Sequence, residues 1–91
     1  MNMMHREPTH PGVFLEEDYL KPLGLTHEEA AKLLGIDISM LDSLLQKELR
    51  VSQELAMNLE RVFKTEWEFW MNAQRAYDAW KHTKINSVTK G

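Results

Sequence analysis

Ser39, Ser43 and Gln46 recur at four- and three-residue spacing, followed by Lys47 and Arg50. On a helix that spacing puts the two hydroxyls and the carboxamide on one face. These groups can donate to and accept from base edges in a major groove, with Gln suited to adenine. Lys47 and Arg50 can neutralise phosphates. Few other groups offer chemistry. The chain has no cysteine, so there is neither a thiol nucleophile nor a disulfide framework, which fits a reducing, cytoplasmic setting. No Gly-rich phosphate loop and no HExxH pair occur. His5, His10, His27 and His82 are scattered, and His5 and His10 are separated by Pro8, so no metal site is expected. Glu16, Glu17 and Asp18 read as a solvated helix face, since adjacent helical positions do not converge. No cofactor and no enzyme activity are expected.

The polar face needs a helix, and the helix needs a bundle to hold it. No segment alternates with period two, so strands are not expected, whereas helix punctuation is dense. Pro11 suits a first helical position, and Val13, Phe14, Leu15, Tyr19 and Leu20 carry apolar surface until Pro22 and Gly24 stop the segment. Thr26 to Glu29 is a capping box. It opens a second helix with Ala30, Leu33 and Leu34 inside and Gly35 as a left-handed stop. Asp37 can cap a third helix. At 100° per residue Ile38, Leu41, Leu44 and Leu45 share its inner side, while Ser39, Asp42, Ser43, Gln46 and Lys47 face outward. Ser52 caps a fourth helix, with Leu55, Leu59, Val62 and Phe63 at helical spacing. Thr65 to Glu68 is a second capping box, opening a fifth helix to about Trp80. The polar stretch 83–91 is expected to be loose. The sequence therefore predicts an all-α, five-helix bundle. The short turn Gly35-Ile36-Asp37 between the second and third helices has the form of a helix-turn-helix.

Ninety-one residues make one domain. So short a chain buries only about 60–65% of its unfolded surface, so association would help it. Hydrophobic residues at 43% and charged residues at 27% are ordinary for a folded, soluble protein. The first residues lack the apolar core of a signal peptide, and no later stretch suits a membrane span. Eleven basic against fourteen acidic residues give a net charge of −3, which argues against general affinity for nucleic acid but not against a local basic strip. Segment 37–50 itself nets −1, so a solvated acidic face competes with the base-reading one.

Two end signatures narrow the reading. Pro8 to Gly12 read P-T-H-P-G, and Glu68 to Trp80 read E-F-W-M-N-A-Q-R-A-Y-D-A-W. From about Pro8 to Trp80 the chain resembles the HigA (VapI-like) antitoxins of bacterial toxin–antitoxin modules, which carry an XRE-type, lambda-repressor-like helix-turn-helix. The resemblance implies sequence-specific binding of double-stranded operator DNA through His27, Ser39, Met40, Ser43, Gln46, Lys47 and Arg50. His27 stands where the family often has a phosphate-contacting Gln, while Ile38 and Met40 stand where it commonly has polar or basic residues. The resemblance also implies a second partner, a basic mRNA-cleaving toxin of the HigB type. An acidic antitoxin is suited to bind it, with Glu16, Glu17 and Asp18, or the tail, as candidate surfaces.

The fifth helix has apolar residues on too much of its circumference for one packed face. Trp67, Trp70, Met71 and Gln74 form one arc, and Phe69, Ala73, Ala76, Tyr77 and Trp80 another. The second arc is the expected homodimer interface, since a contiguous aromatic patch is unlikely to be left in water. The alternative to a DNA-reading antitoxin is a dimeric protein-interaction module of the same fold that has lost DNA binding.

Overall fold

The computed structural model describes residues 7–90, with side chains as far as Thr83. Five helices follow one another, and no strand occurs among the described residues. Helix α1 covers residues 11–23 as three continuous stretches: Pro11–Leu15, a π turn at Glu16–Leu20, and Lys21–Leu23. Helices α2 (His27–Leu34), α3 (Ile38–Leu45) and α4 (Gln53–Phe63) are short, and α5 (Trp67–Lys90) is long.

The local signals in the sequence explain most of these boundaries. The Thr26 hydroxyl accepts from the Glu29 amide at 3.0 Å, and the Glu29 carboxylate accepts from the Thr26 amide at 2.9 Å. This reciprocal box starts α2 as expected. Gly35, at φ 69°, ends it with paired bonds from Gly35 N–H to Lys32 and from Ile36 N–H to Ala31, the geometry of a Schellman stop. Ser52 caps α4 by accepting from Leu55 N–H at 3.1 Å.

Four features differ from expectation. Gly24, at φ 69°, stops α1 as expected, but Pro22 does not and is carried inside the helix, which continues to Leu23. The Lys21 amide reaches back to the Glu16 carbonyl, the wider π spacing that re-satisfies backbone groups where a helix takes in a proline. Asp37 occupies the cap position of α3 without a side-chain cap bond. The second capping box does not form. Thr65 instead accepts from the indole N–H of Trp70 at 2.6 Å, and the Trp67 amide is held by the Glu60 carboxylate at 3.3 Å. Finally, α5 passes Trp80 and runs to Lys90, because no Pro or Gly lies between 81 and 90 to stop it. The expected loose tail over 83–91 falls largely on positions whose side chains lie outside the described residues.

Leu15, Leu20, Leu34, Leu41, Leu44, Leu59 and Trp70 form the fully buried centre, drawn from every helix. Two residues expected inside are not. Leu33 is 49% exposed and Ile38 42% exposed, because each lies at the edge of a helix only two turns long, where one buried stripe suffices.

Helix α1 seats α3 through Gly12. A Cβ on Gly12 would lie 2.0 Å from the Leu44 carbonyl oxygen, so the two backbones approach only because residue 12 has none. The orientation of α3, and of whatever its outer face does, is thus fixed from behind by the P-T-H-P-G segment.

Candidate nucleic-acid interface

The outer side of α3 is polar. Leu41 and Leu44 are fully buried, and opposite them Ser39 and Gln46 are exposed while Ser43 and Asp42 are half-buried. Met40 lies on the flank of this face, 38% exposed, in a shallow hollow with Ile36, Ser52 and Leu55. The helix ends in a second Schellman stop, with Glu48 N–H bonded to Ser43 and Lys47 N–H to Leu44. Lys47 itself sits at φ 66°, a left-handed position that glycine usually fills.

The basic groups near this face are all engaged within the chain. His27, first residue of α2, places Nε2 2.9 Å from Glu16 of α1 and Nδ1 3.5 Å from Asp42 of α3. Asp42 therefore has an imidazole beside it, while its side chain stays 47% exposed. It joins the start of α2 to the middle of α3. Lys47 Nζ lies 2.7 Å from Glu7. That bond holds the Lys47 ammonium above its ordinary range. Arg50 donates from Nε at 2.9 Å and from Nη2 at 2.5 Å to one oxygen of Asp78 on α5. Asp78 also accepts from Gln74 Nε2 at 2.9 Å, and Gln74 in turn accepts from the Val51 amide at 2.8 Å. Burial alone would raise the Asp78 carboxyl, but the bonds from Arg50 and Gln74 and the Arg50 charge outweigh it and hold it below the usual range.

The two end signatures meet behind this face. His10 is 2% exposed and caps α1, its Nδ1 accepting from Gly12 N–H at 2.9 Å. Its ring stands edge-on to Tyr77 at 4.7 Å, and Phe14 meets Phe69 at 5.0 Å. Burial, and then the nearby Lys47 charge, push the His10 imidazole below its ordinary pKa, so the neutral form that can accept from Gly12 is favoured. In this seam Tyr77, expected at a dimer interface, lies against its own chain's His10 and is 8% exposed. Of the other residues on that arc, Phe69 and Ala76 are exposed and Ala73 and Trp80 half-buried.

The sequence pointed to none of the pairing roles of Glu7, His10, Glu16, Gln74 and Asp78. His10 had a usable signal, since a side chain able to accept, placed just before a proline at the first helical position, sits where a cap belongs. The others pair across 23 to 40 residues, or 11 for Glu16, and nothing local marks them.

The helix-turn-helix family model matches residues 17–70, more than half of the chain. The HTH-type transcriptional regulator YbaQ of Escherichia coli K12 is 37% identical over 81 residues, spanning 89% of this chain and 72% of its own. Among solved structures, the antitoxin GraA superposes with a TM-score of 0.86 at 29% identity, over 90% of this chain and 88% of its own. Pseudomonas aeruginosa antitoxin HigA, solved with the higBA promoter, gives 0.85 at 25% identity, over 91% and 90%. The chain belongs to the XRE-type helix-turn-helix family of the HigA antitoxins. This is a family of DNA-binding regulators and antitoxins rather than an enzyme class. In the terms of that family, α2, Gly35 and α3 form the helix-turn-helix, α3 being its second helix. The family match begins at residue 17, whereas the HigA and GraA superpositions extend over nine-tenths of the chain. No helix among the described residues is long and apolar enough to cross a membrane.

Proposed function

We propose that this protein is a cytoplasmic antitoxin that represses its own operon through α3 and neutralises a co-encoded, HigB-type mRNA-cleaving toxin by direct binding. The observation that carries the DNA half is the outer face of α3. Ser39, Ser43 and Gln46 form a row of uncharged hydrogen-bonding groups, presented from a corner fixed by the Thr26 box, Gly35 and Gly12. Such a face suits base edges, while Lys47 and Arg50 at its end suit phosphates. The HigA solved with its promoter supports the same use of the fold. The toxin half rests on membership of the family and on the net charge of −3, which is complementary to a basic partner.

A homodimer completes the reading. Phe69 and Ala76, with Ala73 and Trp80 beside them, offer the surface, and two recognition helices about 34 Å apart would meet successive major grooves. The internal pairing of Lys47 with Glu7 favours the second reading, a dimeric protein-interaction module without DNA binding.

Fluorescence anisotropy against DNA from immediately upstream of the gene, with a scrambled duplex as control, separates the two. The repressor reading expects discrimination of about 10³-fold or more with a modest salt slope. Equal binding to both duplexes, or none at low salt, would leave the interaction module. Co-purification of the tagged chain with the product of the neighbouring toxin gene tests the other half, and failure to hold that product would remove the antitoxin role.

A further inference from the structure

The side chain of Arg50 is paired with Asp78 and yet 70% exposed. The pair uses only one edge of the guanidinium. Nε and Nη2 go to Asp78 Oδ2, and Nη1 has no partner among the described residues. The carboxylate is itself fixed. Its other oxygen accepts from Gln74, a side chain 1% exposed, which also holds the Val51 amide next to Arg50 in the chain. A closed loop results, from the Arg50 head group to Asp78, to Gln74, to Val51, and back along the backbone. Arg50 lies in the segment that leaves α3, five residues past Leu45. An ion pair this exposed adds little to stability. What it fixes is the plane and direction of a group whose free edge can donate to an oxyanion.

We propose that Asp78, braced by Gln74, is a positioning residue for DNA binding, holding the Arg50 guanidinium with its Nη1 edge presented to a backbone phosphate. The inference rests on the DNA-reading function proposed above and adds two residues of α5 to the interface without placing either against DNA. It predicts an effect opposite in sign to simple electrostatics. Removing a carboxylate near DNA should tighten binding, because less negative charge opposes the phosphates. Removing Asp78 should weaken it, because Arg50 then samples many rotamers.

The test is anisotropy of the full chain against the upstream duplex and its scramble, over a range of salt, with thermal melts as a folding control. Arg50→Ala should lower affinity on the order of tenfold and reduce the salt slope by about 1. Asp78→Asn should lower affinity severalfold, and should do nothing further in the Arg50→Ala background. Glu48→Gln removes an exposed charge from the same segment and should leave affinity equal or slightly raised. Should Asp78→Asn melt early, Arg50→Lys serves instead, since it leaves Gln74, Asp78 and Val51 in place. It keeps the salt slope but should lose affinity, because a point charge cannot be held side-on. If the wild type discriminates the upstream duplex but Asp78→Asn binds it as well or more tightly, like Glu48→Gln, or Arg50→Lys matches wild type, the positioning role is wrong and the DNA reading stands. If the wild type does not discriminate, both fall together.

Discussion

Two surfaces of α3 are built on opposite principles. Its back meets α1 with no tolerance, the Leu44 carbonyl lying where a Gly12 Cβ would be, and the seam continues through His10, Tyr77, Phe14 and Phe69. Its front is polar and half-open, with Ser39 and Gln46 in solvent and basic neighbours engaged by carboxylates that are exposed or half-buried. Packing fixes the back, where a single methyl matters. The front is arranged by hydrogen bonds and ion pairs worth little to stability, so its side chains are free to serve recognition. The same helix thus carries a packed face and an open polar face proposed to serve recognition, and substitutions should sort between them.

The largest expected effect is on the seam. Gly12→Ala should destabilise the fold by about 3 kcal/mol or more, because a backbone carbonyl cannot yield as a side chain can. A denaturant midpoint close to wild type would show that α1 and α3 are not locked together. Gln74→Ala comes next, at about 1–3 kcal/mol, since it leaves the buried Val51 amide without its acceptor. A gain in stability there would mean that water or a shifted loop satisfies the amide equally well.

Smaller effects sharpen the boundary between the faces. Lys47→Gly relieves a left-handed residue and should stabilise by about 0.5–1 kcal/mol, read as a raised Tm, even as it removes a charge from the front. A fall in Tm would give the Glu7–Lys47 pair more weight than the backbone. The pH dependence of His10 is subtler. Its folded pKa lies below its ordinary value of 6.5, so the unfolded chain binds the proton more readily. Stability from this group is complete above pH 6.5 and declines as pH falls through the folded pKa. Comparing urea midpoints between pH 8 and pH 5, His10→Asn, which keeps a cap, should show a shallower acid decline than wild type. Parallel declines would place the titration elsewhere.

The contrast between the faces also explains what was legible in the sequence. Helix starts and stops announced by neighbours within four residues, such as the Thr26 box, Gly35 and Ser52, could be read directly. The burial of Leu41 and Leu44 followed from periodicity. The π turn that lets α1 carry Pro22 could not, because nothing local distinguishes it from a helix end. Nor could the employment of Asp42, which reads as a repulsive acid until α1 and α2 bring Glu16 and His27 beside it. Thr65 misled for the same reason, a local cap motif losing to the indole of Trp70 five residues on. Leu33 and Ile38 counted as core by spacing, yet short helices in a small bundle bury one narrow stripe.

The central claim, that the front of α3 reads DNA while its back holds the fold, is most directly tested at Gln46. Anisotropy of Gln46→Ala beside wild type, against the upstream duplex and its scramble, is the measurement. The account predicts a loss of about 1–3 kcal/mol in affinity for the upstream duplex only, with the Tm unchanged because the side chain is exposed. Equal affinity of the two proteins for the upstream duplex, from a wild type that does discriminate it, would contradict the assignment of the reading face.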